Sequence, residues 1–251
     1  MDLTPITAKE CAAMIRGASR AVALTGAGIS TSAGIPDFRG PKGLYVTRRY
    51  DPDTVFNIDH FQENPKPFYD FTRDFVKVLD RVRPTFTHRF LAALEKRGLL
   101  RGVITQNIDS LHEKAGSREV ASLHGSYATS RCMVCRKSWT YDEMVEWIGR
   151  EDVPRCACGG LVKPEVVFFG EIVRDLATAG EWAESCDLML ALGSSLTVYP
   201  AAALPEMCRG SVVAVNQGAV SLPPGPGRYW AEEDLDTFFR LVARELDMNV
   251  E

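Results

Sequence analysis

Four cysteines are the clearest chemical signature in this chain: Cys132-x2-Cys135, twenty intervening residues, then Cys156-x-Cys158. Four thiolates grouped this way match a closed tetrahedral zinc site, and a site with no open coordination position is structural rather than catalytic. The flanking Arg131, Arg136, Lys137, Arg155, Gly159 and Gly160 are polar or small, which argues against four thiols buried as core. The second pair has one intervening residue where zinc ribbons ordinarily have two. Cys11, Cys186 and Cys208 lie scattered, and in a chain with no secretory signal the cluster reads as metal ligands rather than disulfides.

A second chemistry is suggested by polar residues that follow short apolar runs. Ala21 to Thr25 leads into Gly26-Ala27-Gly28-Ile29-Ser30-Thr31, the place for a turn whose glycines let backbone amides approach a pyrophosphate. Thr31 replaces the usual third glycine, and no acidic residue ends a second strand about twenty positions later. The hexapeptide alone therefore fits an ordinary strand-to-loop turn equally well. Position breaks the tie, because open α/β sheets bind ligands at the carboxyl ends of their strands. Three more polar clusters occur at such ends: Thr105-Gln106-Asn107-Ile108-Asp109, Gly193-Ser194-Ser195 and Asn216-Gln217. Any one is explained by a helix cap; four at one sheet edge favour a nucleotide site. Asn and Asp suit ribose hydroxyls and a carboxamide, and Gly and Ser present small donors to phosphate.

Histidine is scarce. His88 and His112 fall in helical patterns where capping or packing is the default, and His60 reads as a loop residue. His124 joins the apolar run Val120 to Leu123 to Gly125 just before the cysteines, and would point into a cleft. Imidazole is the side chain best suited to take a proton at neutral pH.

The elements that must hold these groups follow from spacing. Thr7-Ala8-Lys9-Glu10 is a capping box that opens a helix ending near Gly17. Apolar runs at Ala21–Thr25, Gly102–Thr105, Asp187–Leu192 and Val212–Val215 read as buried strands. Phe68, Phe71, Phe75, Val78 and Val82 mark one helix face, Phe90, Leu91 and Leu94 another, and Leu235, Phe238, Phe239 and Val242 a last helix after the loop at 221–227. Alternating strands and helices predict an α/β fold, a Rossmann-like parallel sheet covered on both faces. Residues 36–80 and 127–160 break the alternation. They are expected to form a smaller lobe, a helical excursion plus a zinc-ribbon-like module, beside a nucleotide-binding domain of 1–35, 81–126 and 161–251.

The chain has 251 residues, 45% hydrophobic and 25% charged, enough to bury a core. Its net charge of −4 provides no global positive field for nucleic acid or an anionic membrane. No apolar run approaches the roughly 18 residues of a membrane span. A cytoplasmic protein is expected, with neither membrane attachment nor strong nucleic-acid binding.

In order along the chain, GAGISTSAGIPDFRG (Gly26 to Gly40), TQNID (Thr105 to Asp109), LHG (Leu123 to Gly125), the four cysteines, VVFFGE (Val166 to Glu171), and GSS with VYP (Gly193 to Pro200) resemble the sirtuins, NAD-dependent protein lysine deacylases, in their bacterial and archaeal single-domain form. The resemblance implies NAD and zinc, with Cys132, Cys135, Cys156 and Cys158 as zinc ligands. It implies that Gly26, Ala27, Gly28 and Thr31 form the pyrophosphate turn, and that Asp37, Phe38 and Arg39 belong to a loop closing over the cofactor. Gln106, Asn107, Ile108 and Asp109 would form the nicotinamide and ribose pocket. His124 would be the general base, acting with Asn107 and Asp109 as catalytic residues. Gly193, Ser194, Ser195, Asn216 and Gln217 would hold the adenosine half, and Asp234 stands for an adenine contact in a region that matches poorly. Val167, Phe168, Gly170 and Val198 would bind an acyl-lysine peptide as an added strand. Lys163-Pro164 replaces the more usual Arg-Pro.

The implied reaction is acyl transfer to the ADP-ribose sugar, yielding free lysine, nicotinamide and O-acyl-ADP-ribose. Relatives that prefer succinyl or malonyl groups carry Tyr-x-x-Arg; the matching stretch here is Tyr69-Asp70-Phe71-Thr72, so uncharged acyl groups are expected. Three rivals remain: a dehydrogenase, a protein mono-ADP-ribosyltransferase using the same pocket, and a non-enzymatic zinc-ribbon binding module.

Overall fold

The computed structural model describes residues 3–36 and 50–250. Its strands are β1 (Thr4–Pro5), β2 (Ala21–Thr25), β3 (Val103–Thr105), β4 (Val120–Ser122), β5 (Gly125–Cys132), β6 (Ser138–Thr140), β7 (Val162–Val166), β8 (Leu188–Leu192), β9 (Ser211–Val215) and β10 (Arg228–Ala231). Seven of them form a wholly parallel sheet in the order β1-β10-β9-β8-β2-β3-β4. The four expected apolar runs are β2, β3, β8 and β9. Two short strands at one side of the sheet escape sequence reading: the edge strand β1 holds only Thr4 and Pro5, both exposed, and β10, between β1 and β9, follows the proline-rich loop with side chains mostly half-buried.

The sheet is covered on both faces because its strands alternate. Ala21, Ala23, Val103, Leu188, Leu190, Val213 and Val215 face one layer, packed by helices Ala8–Gly17, Phe86–Lys96 and Leu235–Glu245. Val22, Leu24, Ile104, Met189, Ala191, Val212 and Ala214 face the other, packed by helices Leu176–Ser185 and Leu204–Met207. The first helix carries the expected capping box, Thr7 accepting from the Glu10 amide and Glu10 from the Thr7 amide.

Register aligns the site. Thr25 pairs with Thr105 and Leu192, Thr105 with Ser122, and Leu192 with Val215. The next residues, Gly26, Gln106, Leu123, Gly193 and Asn216, therefore stand in one row across the carboxyl edge. The chain runs outward from β2 through β3 and β4, then returns through β8 and β9 on the other side. This reversal between β2 and β8 opens the crevice in which doubly wound sheets bind ligands.

Residues 50–80 and 127–160 share one core. Helices Pro52–Val55, Ile58–Glu63, Lys66–Leu79 and Tyr141–Ile148 pack against a small antiparallel sheet ordered β6-β5-β7. Edge-on ring contacts join Phe56, Phe61, Phe68 and Phe168, the buried Tyr69 hydroxyl donates to the Val162 carbonyl, and Thr72 meets Tyr127. The third strand, β7, comes from the part of the sequence assigned to the larger domain. A two-stranded hairpin is marginal alone, and β7 supplies the third strand. His60, expected in a loop, lies in the helix Ile58–Glu63, which Asn57 caps.

One carboxylate ties the two strands at the switch point. Asp187, just before β8, accepts the amides of Ser19 (2.7 Å) and Arg20 (2.9 Å), just before β2. Burial pushes its pKa up, but the amides of Arg20 and Ser19 outweigh this and hold it below the usual value. Its stabilisation is present above the unfolded carboxylate pKa of about 3.9 and is lost as pH falls through the lower folded value. Asp187→Ala should lower Tm by a few degrees at neutral pH, and thermal melts should show the difference from wild type shrinking toward zero in acid.

Candidate functional site

A cavity of about 1250 Å³ lies between the carboxyl edge of the large sheet and the small lobe. This exceeds the roughly 300–1,000 Å³ of ordinary small-molecule sites and has room for a dinucleotide together with a side chain. The sheet side brings Gly26, Ala27, Gly28, Gln106, Asn107, Ile108, Asp109, His124, Gly193, Ser194, Ser195, Asn216 and Gln217 to its wall. The lobe side contributes Phe56, Phe71, Phe75 and Val78, and the segments after β7 and β8 contribute Val167, Phe168, Gly170 and Val198. Thr31 and Asp234 stand outside this wall: the Thr31 hydroxyl donates to the Gly28 carbonyl (3.0 Å), and Asp234 caps the last helix by accepting from the Thr237 amide (2.9 Å). Asp37, Phe38 and Arg39 lie outside the described residues.

The glycines of the first turn have a neighbour that the sequence did not reveal. Gly28 N–H donates to the Gly193 carbonyl at 2.8 Å, and a Cβ on Gly28 would stand 2.7 Å from Gly193 Cα. A Cβ on Gly26 would meet the Gly193 carbonyl at 2.8 Å. Gly193 itself has φ +61, the left-handed region that favours glycine. The turns after β2 and β8 thus pack backbone against backbone, and the Gly28 amide is used in that contact.

The Gln106–Asp109 segment is held from beneath by hydroxyls. Asp109, 5% exposed, accepts from Ser30 Oγ at 2.7 Å and from the Leu111 amide at 2.9 Å. Burial raises its pKa, with the Ser30 and Leu111 hydrogen bonds opposing. Asn107 Nδ2 donates to the Gly26 carbonyl (3.1 Å) and Ser30 Oγ (3.3 Å), while its amide donates to Thr105 Oγ1 (3.0 Å). Thr105 in turn meets Thr25 (2.9 Å), and Thr25 meets His112 Nε2 (2.9 Å). Ser30, Thr25, Thr105 and His112 hold this segment through partners that the sequence did not reveal: Thr105 reads there only as part of a strand-end cluster and His112 as a capping or packing residue. Each side chain is fully buried, and their chain of contacts joins residues far apart in sequence. His88 has the expected capping role, its ring meeting Thr85.

His124 is set by one bond. Its Nδ1 lies 2.8 Å from the Gln106 carbonyl, which can only accept, so the hydrogen-bond pattern assigns the ring proton to Nδ1 and leaves the Nε2 lone pair available. Burial lowers its pKa, with the Gln106 bond opposing, so the ring is neutral at pH 7. Gly125, next in sequence, has φ +69, and a Cβ there would strike the Glu165 carbonyl at 1.9 Å. The glycine lets β7 close over the histidine.

The segment after β7 is braced rather than loose. Val167 N–H donates to the His124 carbonyl (2.8 Å), and Phe168 N–H to Glu171 Oε2 (2.8 Å). Lys163 Nζ bridges Glu171 (2.9 Å) and the Val166 carbonyl (2.5 Å) and lies 4.1 Å from the Phe168 ring centroid.

The four clustered cysteines bring their Sγ atoms within 4.8 Å of one another, with Cys132–Cys158 and Cys135–Cys156 at 3.5 Å. Zn–S bonds of about 2.3 Å imply a tetrahedral edge of about 3.8 Å, so the sulfurs fit that ion. The amides of Val134 and Cys135 point at Cys132 Sγ at 3.4 and 3.5 Å, as suits a thiolate ligand. The single-residue spacing of Cys156-x-Cys158 is accommodated by the tight turn at Gly159, which has φ +83.

A family model of the Sir2 family matches residues 26–200. The chain belongs to the Sir2 family. An NAD-dependent protein deacetylase of Sulfolobus acidocaldarius is 44% identical over 239 residues, covering 95% of this chain and 90% of that protein. A second, of Thermotoga maritima, is 43% identical over 216 residues, covering 84% and 87%. Among solved structures, a Sir2 variant with deacetylated p53 peptide and 3′-O-acetyl ADP ribose superposes with a TM-score of 0.90 at 38% identity, covering 97% of this chain and 100% of that one. Sir2Tm bound to a propionylated peptide gives a TM-score of 0.86 at 36% identity, with the same coverage of each chain.

In this Sir2-family chain the thiolate cluster lies at the far end of β5 from His124, where a closed metal site acts on folding and not on chemistry. Elemental analysis should find one zinc per chain, and Cys132→Ala should lose the metal, destabilise the small lobe and lower activity indirectly. Metal-free protein with unchanged Tm and activity would exclude the site.

Proposed function

We propose that this sirtuin is an NAD-dependent protein lysine deacylase that releases nicotinamide, O-acyl-ADP-ribose and free lysine. The observation that carries this reading is His124: a neutral imidazole whose Nδ1 is committed to a carbonyl and whose Nε2 has no hydrogen-bond partner among the described residues, in the same cavity as the buried Asp109 and the aligned strand ends. The similarity to relatives named as NAD-dependent protein deacetylases supports it.

NAD, when bound, would supply a ribose carbon bearing nicotinamide as a stable leaving group. The chain's own residues do the rest. Asn107 and Asp109 bind at the nicotinamide end, with Ser30 holding both in place. The carbonyl of Gln106 keeps His124 in one tautomer, and Nε2 would take a proton from the ribose hydroxyls. Phe56, Phe71, Phe75 and Val78 exclude water from the reacting centre, which strengthens every charge interaction inside it. Val167, Phe168, Gly170 and Val198 would orient an acyl-lysine peptide, and Ser194, Ser195, Asn216 and Gln217 the adenosine half. The cysteine-bound zinc would supply structure alone. The division into a nucleotide-binding domain and a small lobe, with catalysis between them, belongs to the same proposal. The net charge of −4 supports protein rather than nucleic acid as the partner and is consistent with the proposed cytoplasmic setting. No described helix is long and apolar enough to cross a membrane.

Acyl selectivity follows from the wall. Among the described residues that line the cavity none is Lys or Arg, so none of them would supply a cation to an acyl carboxylate. Thr72 is buried against Tyr127, and the Arg73 guanidinium is engaged by Asp70 and by the carbonyls of Glu151 and Asp152. Acetyl and other uncharged acyl-lysine peptides should therefore show higher kcat/KM than succinyl-lysine peptides; the reverse order would reject the charge argument.

His124→Ala should reduce acyl-ADP-ribose formation by about 10² to 10⁴-fold while labelled nicotinamide exchange into NAD survives better, because the base is needed only after nicotinamide leaves. Asp109→Ala should depress both together. In the wild type the base is active when neutral, so turnover falls as pH drops through its pKa, with a midpoint below the ordinary value of about 6.5. Mass spectrometry of the target distinguishes this reading from ADP-ribosyl transfer, which adds the sugar to the protein. Equal loss of exchange and turnover in a stable His124→Ala protein would remove His124 from the later step.

A further inference from the structure

At the ends of β8 and β9 remote from the cavity, two thiols face each other. Cys186 follows helix Leu176–Ser185 and Cys208 follows helix Leu204–Met207, both with extended backbone. Both are buried, with Sγ atoms 3.3 Å apart. Among the described residues the only group of three or more metal-ligating side chains is the zinc cluster, so a metal does not explain this pair. Nor do the proposed reaction and its cavity use it.

We propose that Cys186 and Cys208 are an oxidisable dithiol that closes to a disulfide on exposure to a hydroperoxide, stapling the starts of β8 and β9. The geometry is favourable on three counts. The two cysteines precede adjacent strands in fixed register, Leu188 opposite Ser211, with the Ser211 amide donating to the Asp187 carbonyl at 3.0 Å. A disulfide requires an S–S distance of about 2.05 Å, so the sulfurs need close by little more than an ångström. Each residue lies just past a helix, where side-chain rotation and a small shift cost no interior helical hydrogen bond.

The two sulfurs have distinct roles. The Cys186 thiol donates to Cys208 Sγ, and the Arg228 guanidinium donates to the Cys208 carbonyl at 3.2 Å. The Cys186 bond, with help from the Gly210 amide and the Arg228 charge and against burial, brings the Cys208 pKa down to about 7. The thiolate is the nucleophile. Cys208 Sγ attacks one peroxide oxygen, the O–O bond breaks, and hydroxide leaves and takes up a proton as water; Cys208 becomes a sulfenic acid. Cys186 Sγ then attacks Cys208 Sγ, the S–O bond breaks, and the departing hydroxide takes the Cys186 proton as a second water. Two thiols are oxidised by two electrons, and one hydrogen peroxide is reduced to two waters.

The closed ring would contain β8 and the cavity-lining segment from Gly193 to Pro200, yet the link itself would sit a full strand away from Gly193, about 16 Å at 3.3 Å per residue. It should therefore stabilise the fold without altering turnover. Burial of both sulfurs restricts the reaction to small oxidants, and Cys11, buried with no neighbouring thiol, should stay reduced.

The test treats the purified full chain with hydrogen peroxide, quenches by alkylation under denaturing conditions, and maps peptides without reduction. The expected result is a Cys186–Cys208 linked peptide lighter by two hydrogens, a Tm raised by about 5–10 °C, reversal of both by dithiothreitol, and an unchanged deacylation rate. Cys208→Ala should abolish the link and the Tm shift; Cys186→Ser serves the same purpose should the first variant fold poorly. Recovery of Cys186 and Cys208 as alkylated thiols, under peroxide sufficient to oxidise a free small dithiol in the same tube, would overturn the proposal. A linked peptide with no rise in Tm would overturn the staple.

Discussion

The molecule depends on the contact between two turns at the centre of its large sheet. Gly28 N–H donates to the Gly193 carbonyl, and neither Gly26 nor Gly28 has space for a Cβ against that backbone. This brings the ends of β2 and β8 together where the strand order reverses, and the row of strand-end residues follows from it. A side chain at either glycine would force the two strand ends apart and widen the floor of the cavity. Glycine is required here first for packing of chain on chain, and only then for any approach of a ligand.

From that floor the site is built in depth. Ser30 stands in the short helix after the turn and reaches both Asp109 and Asn107, so the position of the turn is transmitted to the two polar groups at the inner end of the cavity. Beneath them, Thr105, Thr25 and His112 continue the hydrogen-bonded chain into the core. Burial then acts on the two titratable groups in opposite senses of charge: it raises the Asp109 pKa and lowers that of His124. Both are pushed toward their neutral forms. The same desolvation that keeps His124 neutral thus also limits the negative charge of Asp109 in the cavity wall.

The small lobe contributes a wall whose rigidity has its own source. Phe56, Phe61, Phe68 and Phe168 interlock edge to face, and Lys163 pins Glu171 and covers the Phe168 ring. The segment that the peptide would contact is therefore fixed from behind by an aromatic cluster and an ion pair, while the zinc-type cysteine cluster holds the distant end of β5. The lobe's two sequence excursions and β7 form one body because neither excursion can bury its apolar face alone.

The sequence by itself determined the α/β class, the four central strands, the capped first helix and the polar residues that meet at the sheet edge, because these are matters of local pattern: apolar runs, capping spacing, and glycine or Asn after a strand. The four clustered cysteines were equally legible, since their spacing is short. Tertiary structure alone decided which hydroxyls support Asp109, which carbonyl sets the His124 tautomer, why Gly28 must be glycine, and that Thr31 and Asp234 stand away from the cavity wall. It also decided that β7 joins the small sheet and that Cys186 meets Cys208. Each of these rests on a contact between residues tens of positions or more apart, or on a side chain whose partner was open to choice, and single-strand patterns carry no information about register between segments. The strands β1 and β10 were hidden for a related reason: the edge strand β1 holds two exposed residues and β10 beside it is mostly half-buried, so neither is a continuous apolar run and only pairing with a neighbour reveals them.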